Sequence, residues 1–219
     1  MEFDPSFAVQ TIPVIVSFIG TTIFAAIASC FGAASLGFIL ELGRRSNPVL
    51  ALINRFVSDF IRCTPILGWL YFTYFVLPFY GLRLSSMTVG ILALSIYYSG
   101  YLCEVFRAGI DAIPKGQSEA AQALGLRRVD QIAFVLAPQM LRNIAAPLGN
   151  YFVSILKATP YLAVIAVPEM LGSAFDIASE TYRYAEPLSA AGAVFLLLAL
   201  LVAQCTALLE RRMSRSTNK

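Results

Sequence analysis

An all-α membrane protein with about five transmembrane helices is the fold class that this 219-residue chain predicts, and three observations predict it. Hydrophobic residues make up 58% and charged residues 13% of the chain, whereas a soluble domain carries about 25% charged residues. The apolar residues gather into five blocks, at about 12–40, 63–81, 86–105, 147–168 and 187–209, each long enough for the roughly 20 residues that cross a hydrocarbon core. Lysine and arginine are also divided unevenly between the connections on the two sides. One transmembrane domain over 1–219 accounts for all three.

The first block follows an acidic start with Glu2 and Asp4 and no cation. It therefore lacks the basic region of a cleaved signal peptide and is expected to be a retained anchor. It is longer than a bilayer requires, so it tilts or projects. Arg44, Arg45, Arg55 and Arg62 join it to the second block; Arg107, Lys115, Arg127, Arg128 and Arg142 lie between the third and fourth; Arg211, Arg212, Arg215 and Lys219 fill the tail. The other side holds only Arg83 and Arg183, beside Glu169, Asp176, Glu180 and Glu186. This asymmetry predicts the N-terminus outside and the C-terminus inside, which an odd number of crossings also requires.

The cysteines, Cys30, Cys63, Cys103 and Cys205, stand singly in apolar surroundings and are expected to be small buried side chains rather than a disulfide set or metal site. Histidine is absent, which removes the commonest general base and metal ligand.

The segment at about 107–143 is too long for an ordinary helix connection and too patterned for a slack loop. Pro114 opens a helix, "SEAAQAL" continues it with strong helix formers, and Gly125 stands where a left-handed terminator belongs. Ala120, Ala121 and Leu124 form a small patch able to enter a cleft on another protein. Asp130 is expected to cap a second, amphipathic helix, "QIAFVLAPQML", lying along the membrane face until Pro147 starts the next span.

"EAAQALG" followed by "FVLAPQ" resembles the signature of permease subunits of bacterial type I ABC importers. "GYLCEVFRAGIDAIPKGQSEAAQALGL", "LRNIAAPLGNYFVSILKATPYLAVIAVPEML", "RCTP" at 62–65 and "LLERR" extend the resemblance, to the polar amino-acid uptake branch, over about residues 10–212. The resemblance implies five helices with an outside N-terminus in the bacterial inner membrane. It makes the E-A-A part of the cytoplasmic coupling loop, about 107–143, a coupling helix seated in a groove of an ATPase, with Glu119, Ala120, Ala121 and Gly125 as coupling elements, supported by Arg107, Lys115, Gly116 and Gln117. It also implies a non-catalytic permease subunit that works with two ATPase subunits carrying the ATP and Mg, a second permease subunit, and an external solute-binding protein. No phosphate-cradling G-x-x-x-x-G-K-[ST] motif occurs in this chain, so energy must come from another.

Lys157 lies inside the fourth block, where an ionisable group faces protein or water. It could bind a substrate carboxylate, pair with Glu104, or hold helices together. Thr159 is adjacent and is expected on the substrate path with Lys157, Glu104 and the tyrosines of the third block, and Pro160 leaves the carbonyl of Leu156 without its helical donor. Tyr97, Tyr98 and Tyr101 form an aromatic wall able to accept an ammonium group, or pack as an interface. Where the family often has an acidic or amide side chain after this lysine, the chain has Ala158, which favours a neutral amino acid or a zwitterion such as ectoine over a cation.

Two other functions are compatible with parts of the sequence. Ser154 and Lys157 make an S-x-x-K pair usable by an intramembrane hydrolase, but the companion S-D-N and K-T-G motifs are missing. A secondary carrier or channel explains the spans and leaves the 107–143 segment without a purpose.

Overall fold

In the computed structural model the backbone is described for residues 3–215 and side-chain surroundings for residues 3–209. Glu2 and the side chains of Arg211, Arg212, Arg215 and Lys219 lie outside the described residues.

Helix α1 (Pro5–Ser17) is capped by Asp4, whose carboxylate accepts the amide N–H groups of Ser6 at 2.9 Å and Phe7 at 3.3 Å. It gives way at Phe18 to α2 (Ile19–Ser46), so the expected first block is two helices. Pro13 removes one helical hydrogen bond just before this junction. The hydroxyls of Thr21 and Thr22 then take the Phe18 carbonyl at 2.7 and 3.1 Å.

Asn47 and Pro48 start α3 (Pro48–Cys63), an amphipathic helix that sequence reading treated only as a cationic connection. Thr64 and Pro65 end it, and the chain turns by 99° into α4 (Ile66–Tyr71), which continues as a π-helical turn (Phe72–Val76) and a 3₁₀ turn (Leu77–Tyr80). Helix α5 (Ser86–Asp111), capped by the Ser85 hydroxyl, is the most enclosed and packs against α2, α3 and α4. At Gly37 of α2 a Cβ would come within 2.9 Å of the Cys103 nitrogen and the Ser99 oxygen, so glycine lets the two backbones touch.

After α6 (Lys115–Ala123) the chain forms a single turn, α7 (Arg128–Asp130), then a π-helical stretch (Gln131–Leu136), α8 (Ala137–Ala158) and a 3₁₀ stretch (Thr159–Ile165). This corrects the expected arrangement: residues 131–141 run directly into the span, and Pro147 lies inside α8 rather than at its start. A proline inside a helix removes one backbone bond, here to the Asn143 carbonyl. The Asn143 side chain meanwhile donates to the Gly109 carbonyl at 3.2 Å and ties α8 to α5.

Helix α9 (Met170–Thr181), also unforeseen, and α10 (Ala185–Arg215) complete an all-α architecture. Among the described residues four helical stretches are long and apolar enough to cross a membrane, and the bent pair α3–α4 makes a fifth if it is one span. The main core joins α2, α4, α5 and α8 with the 3₁₀ stretch; a smaller one of Ile15, Met170, Ala174, Ala190 and Ala191 joins α1, α9 and α10 at the other end. All four cysteines are free. Cys103 is buried and Cys30 half-buried, but Cys63 and Cys205 are exposed, contrary to expectation, on helix faces that none of the described residues covers.

Candidate functional site

Two places gather the polar groups that the sequence singled out. The first is α6. Its end is closed by two bonds, from the Gly125 amide to the Gln122 carbonyl at 2.9 Å and from the Leu126 amide to the Ala121 carbonyl at 3.2 Å. Gly125 has φ +73, the left-handed geometry this closure needs. Lys115, Gly116, Gln117, Glu119 and Ala120 are exposed, and Leu124 is 80% exposed. Ala121 is buried, so the expected patch is divided: Ala120 and Leu124 point outward, and Ala121 packs toward the protein.

The back of α6 is held by amides. Gln139 of α8 donates to the Gln117 side chain at 3.1 Å, and Gln131 donates to the Leu126 carbonyl at 2.8 Å. Asp130 does not cap the second helix. That position belongs to Arg127, and Asp130 takes the Arg127 guanidinium at 2.9 Å, because an arginine three residues earlier competes for its carboxylate. Behind α6 lies a groove of about 670 Å³ between Phe38, Leu42 and Ile110 on one wall and Ile132, Leu136 and Met140 on the other.

The second place is a tyrosine cluster on α5 and α8. Tyr97 and Tyr101 share a hydroxyl contact of 3.3 Å, Tyr98 donates to the Ser154 carbonyl at 3.1 Å, and Tyr101 donates to the Arg62 carbonyl at 3.4 Å. Tyr151 joins them, with ring centroids 6.4 Å from Tyr98 and 6.1 Å from Tyr101. Sequence reading missed Tyr151, since nothing local links it to a helix so distant in the chain. Tyr101, Glu104, Asn143, Pro147 and Tyr151 line an open groove of about 310 Å³.

Lys157 is exposed on α8, and among the described residues it has no ion-pair partner. The expected pairing with Glu104 is corrected: Glu104 is held by Arg44 at 2.9 Å and Arg107 at 2.8 Å. Those arginines lie on α2 and one turn along α5, nearer in the fold than a lysine on α8's open face. Thr159 is fully buried and its hydroxyl donates to the Leu156 carbonyl at 2.8 Å, turned into the core. No hydrogen bond joins Ser154 to Lys157 among the described residues, so the S-x-x-K pair is not assembled.

A third polar residue of note is Glu169, which caps α9 by accepting the Gly172 amide at 2.5 Å and is fully buried. Its second oxygen has no hydrogen-bond partner among the described residues. Burial pushes its carboxyl up to about 7, against the opposing pull of the Leu171 and Gly172 amides.

Residues 33–215 match the family of the binding-protein-dependent transport system inner membrane component. The chain belongs to this family. Among its relatives, a probable amino-acid ABC transporter permease of Sinorhizobium fredii is 38% identical over 201 residues, covering 89% of this chain and 85% of that one. The arginine transport system permease of Bacillus subtilis is 31% identical, covering 97% and 98% of the two chains. The glutamine transport system permease of Escherichia coli is likewise 31% identical, covering 97% and 99%. A crystal structure of an amino acid ABC transporter with histidines superposes with a TM-score of 0.87 at 31% identity, over 97% of this chain and all of that one. The MetNI methionine transporter, at 16% identity and a TM-score of 0.74 over 90% and 95% of the two chains, shares the fold. This permease is therefore the membrane-spanning component of an amino-acid ABC transporter.

Proposed function

We propose that this permease forms part of the path for a polar amino acid or an amino-acid-like zwitterion and draws its energy, through α6, from ATP hydrolysed by a partner ATPase. The observation that carries the proposal is α6 itself: a closed helix presenting Glu119, Ala120 and Leu124 outward while Ala121 and two glutamine contacts brace it from behind. The small side chain of Ala120, between Glu119 and Leu124 on the outward face, lets a partner's cleft approach the helix backbone. The gathering of Arg44, Arg45, Arg55, Arg107 and Arg127 toward this side of the sequence pattern supports a cytoplasmic α6 and an outside N-terminus. A pair of ATPases there, a second permease subunit alongside, and a solute-binding protein at the outer face complete the assembly in the bacterial inner membrane.

The substrate class follows from charge. Lys157 is exposed and suits a carboxylate, while the half-buried rings of Tyr97 and Tyr101 suit an ammonium. Ala158 is buried and Glu104 is already occupied by two arginines, so neither position offers a free carboxylate to a net cation. A zwitterion, ectoine among the candidates, fits this set better than a cationic amino acid.

The test is reconstitution in vesicles with partner ATPase and binding protein. Glu119→Lys is expected to abolish solute-stimulated ATP hydrolysis; intact stimulation would refute the role given to α6.

A further inference from the structure

Helix α2 connects the two ends of the molecule. Its 28 residues span roughly 40 Å at 1.5 Å per residue. Near its start, the Thr22 hydroxyl accepts the Met170 amide at 3.2 Å, at the head of α9. At its other end, Arg45 makes three contacts. Its Nε donates to Glu41 at 2.5 Å, and its Nη2 donates to Asp111 at 2.6 Å and to the Arg107 carbonyl at 3.5 Å.

These contacts grip the last turn of α5, and only Ala112, Ile113 and Pro114 separate that turn from α6. The link is short and stiff: the Ala112 amide bonds to the Ala108 carbonyl at 3.0 Å, the Ile113 amide to Ile110 at 3.1 Å, and proline fixes its own φ. Glu41 is buried to 1% exposure, and its second oxygen is without a partner among the described residues. A buried carboxylate needs a compensating charge, so it holds the guanidinium in place from below. Asp111 is mostly exposed and holds it from the side.

We infer that Arg45, braced by Glu41, is a positioning residue that clamps the base of α6 to α2, so that movement of α6 is passed along α2 to the end where α9 sits. The inference rests on the coupling role proposed for α6. Arginine suits this position because its planar fork spans two carboxylates and a carbonyl at once, which the single point charge of lysine does not.

Asp111→Asn weakens only the exposed arm and leaves the Glu41 charge compensated. Arg45→Lys keeps the charge beside Glu41 but gives up the fork. In vesicles holding the full transporter, with partner ATPase and binding protein, both variants are expected to assemble and unfold near the wild-type temperature. Each lowers the solute moved per ATP hydrolysed by about twofold or more. The double variant falls no further than the lower single one, because both changes break the same contact. A wild-type ratio for both variants, while Glu119→Lys loses stimulation, overturns the clamp and leaves the coupling role standing. Intact stimulation in Glu119→Lys itself overturns the coupling role and the clamp with it.

Discussion

Thr159 donates both its backbone N–H and its hydroxyl to the carbonyl of Leu156, the hydroxyl at 2.8 Å. That carbonyl is the one Pro160 cannot serve, so threonine supplies the missing donors and the helix tightens into a 3₁₀ stretch. Thr159→Val keeps the shape and removes the hydroxyl. The loss is expected to be about 1 kcal/mol of stability, the net worth of a buried hydrogen bond. Thr159→Ser is expected to recover most of it, as thermal unfolding in detergent will measure.

Glu169 predicts a pH dependence. Its folded-state pKa, about 7, lies above the ordinary value of 4.5, because burial disfavours the charged form. The stability it contributes is therefore complete below 4.5 and is lost as pH rises through about 7. Glu169→Gln keeps an acceptor for the Gly172 amide and cannot ionise. Its unfolding temperature should show a smaller fall across that window than wild type; an identical fall would assign the dependence to another group.

Gly37 predicts a steric cost. A methyl group there meets backbone atoms of α5 at 2.9 Å, and backbone cannot step aside as a flexible side chain can. Gly37→Ala is expected to cost about 1–3 kcal/mol, the usual range for overpacking. A variant of unchanged unfolding temperature would show that the α2–α5 pair is looser than described.

Much of this was legible in the sequence because it depends on local chemistry. Gly125 announces a left-handed helix end, Pro114 a helix start, and Pro160 a broken bond, and each lies where those rules put it. What was not legible depends on partners distant in the chain. Glu104 has two arginines closer to it than Lys157, and only the packing of α2 on α5 reveals one of them. Pro147 reads as a helix start but sits in mid-helix, because a long apolar helix absorbs one lost bond. Helix α3 escaped notice because its apolar residues, with Leu52, Phe56 and Phe60 exposed, are interrupted along the chain by Arg55, Asp59 and Arg62. Ala120 and Ala121 are identical neighbours in the sequence, yet the helix turns one outward and the other inward.

Lys157 predicts a transport defect. Lys157→Met keeps a long side chain on an exposed face, so the protein level should hold while solute uptake falls. Normal uptake at an unchanged protein level would remove Lys157 from the path.

Assembly of the transporter is predicted to cover α6 with an ATPase. Leu124→Cys, in a chain whose exposed Cys63 and Cys205 are changed to serine, places a thiol on the outward face of α6, and Tyr182→Cys places a control thiol on an exposed residue beyond α9. The measurement is the rate of maleimide labelling of each thiol, with and without the partner ATPase. Slower labelling at 124, with no change at 182, is the result predicted; equal labelling at 124 in both conditions would contradict it.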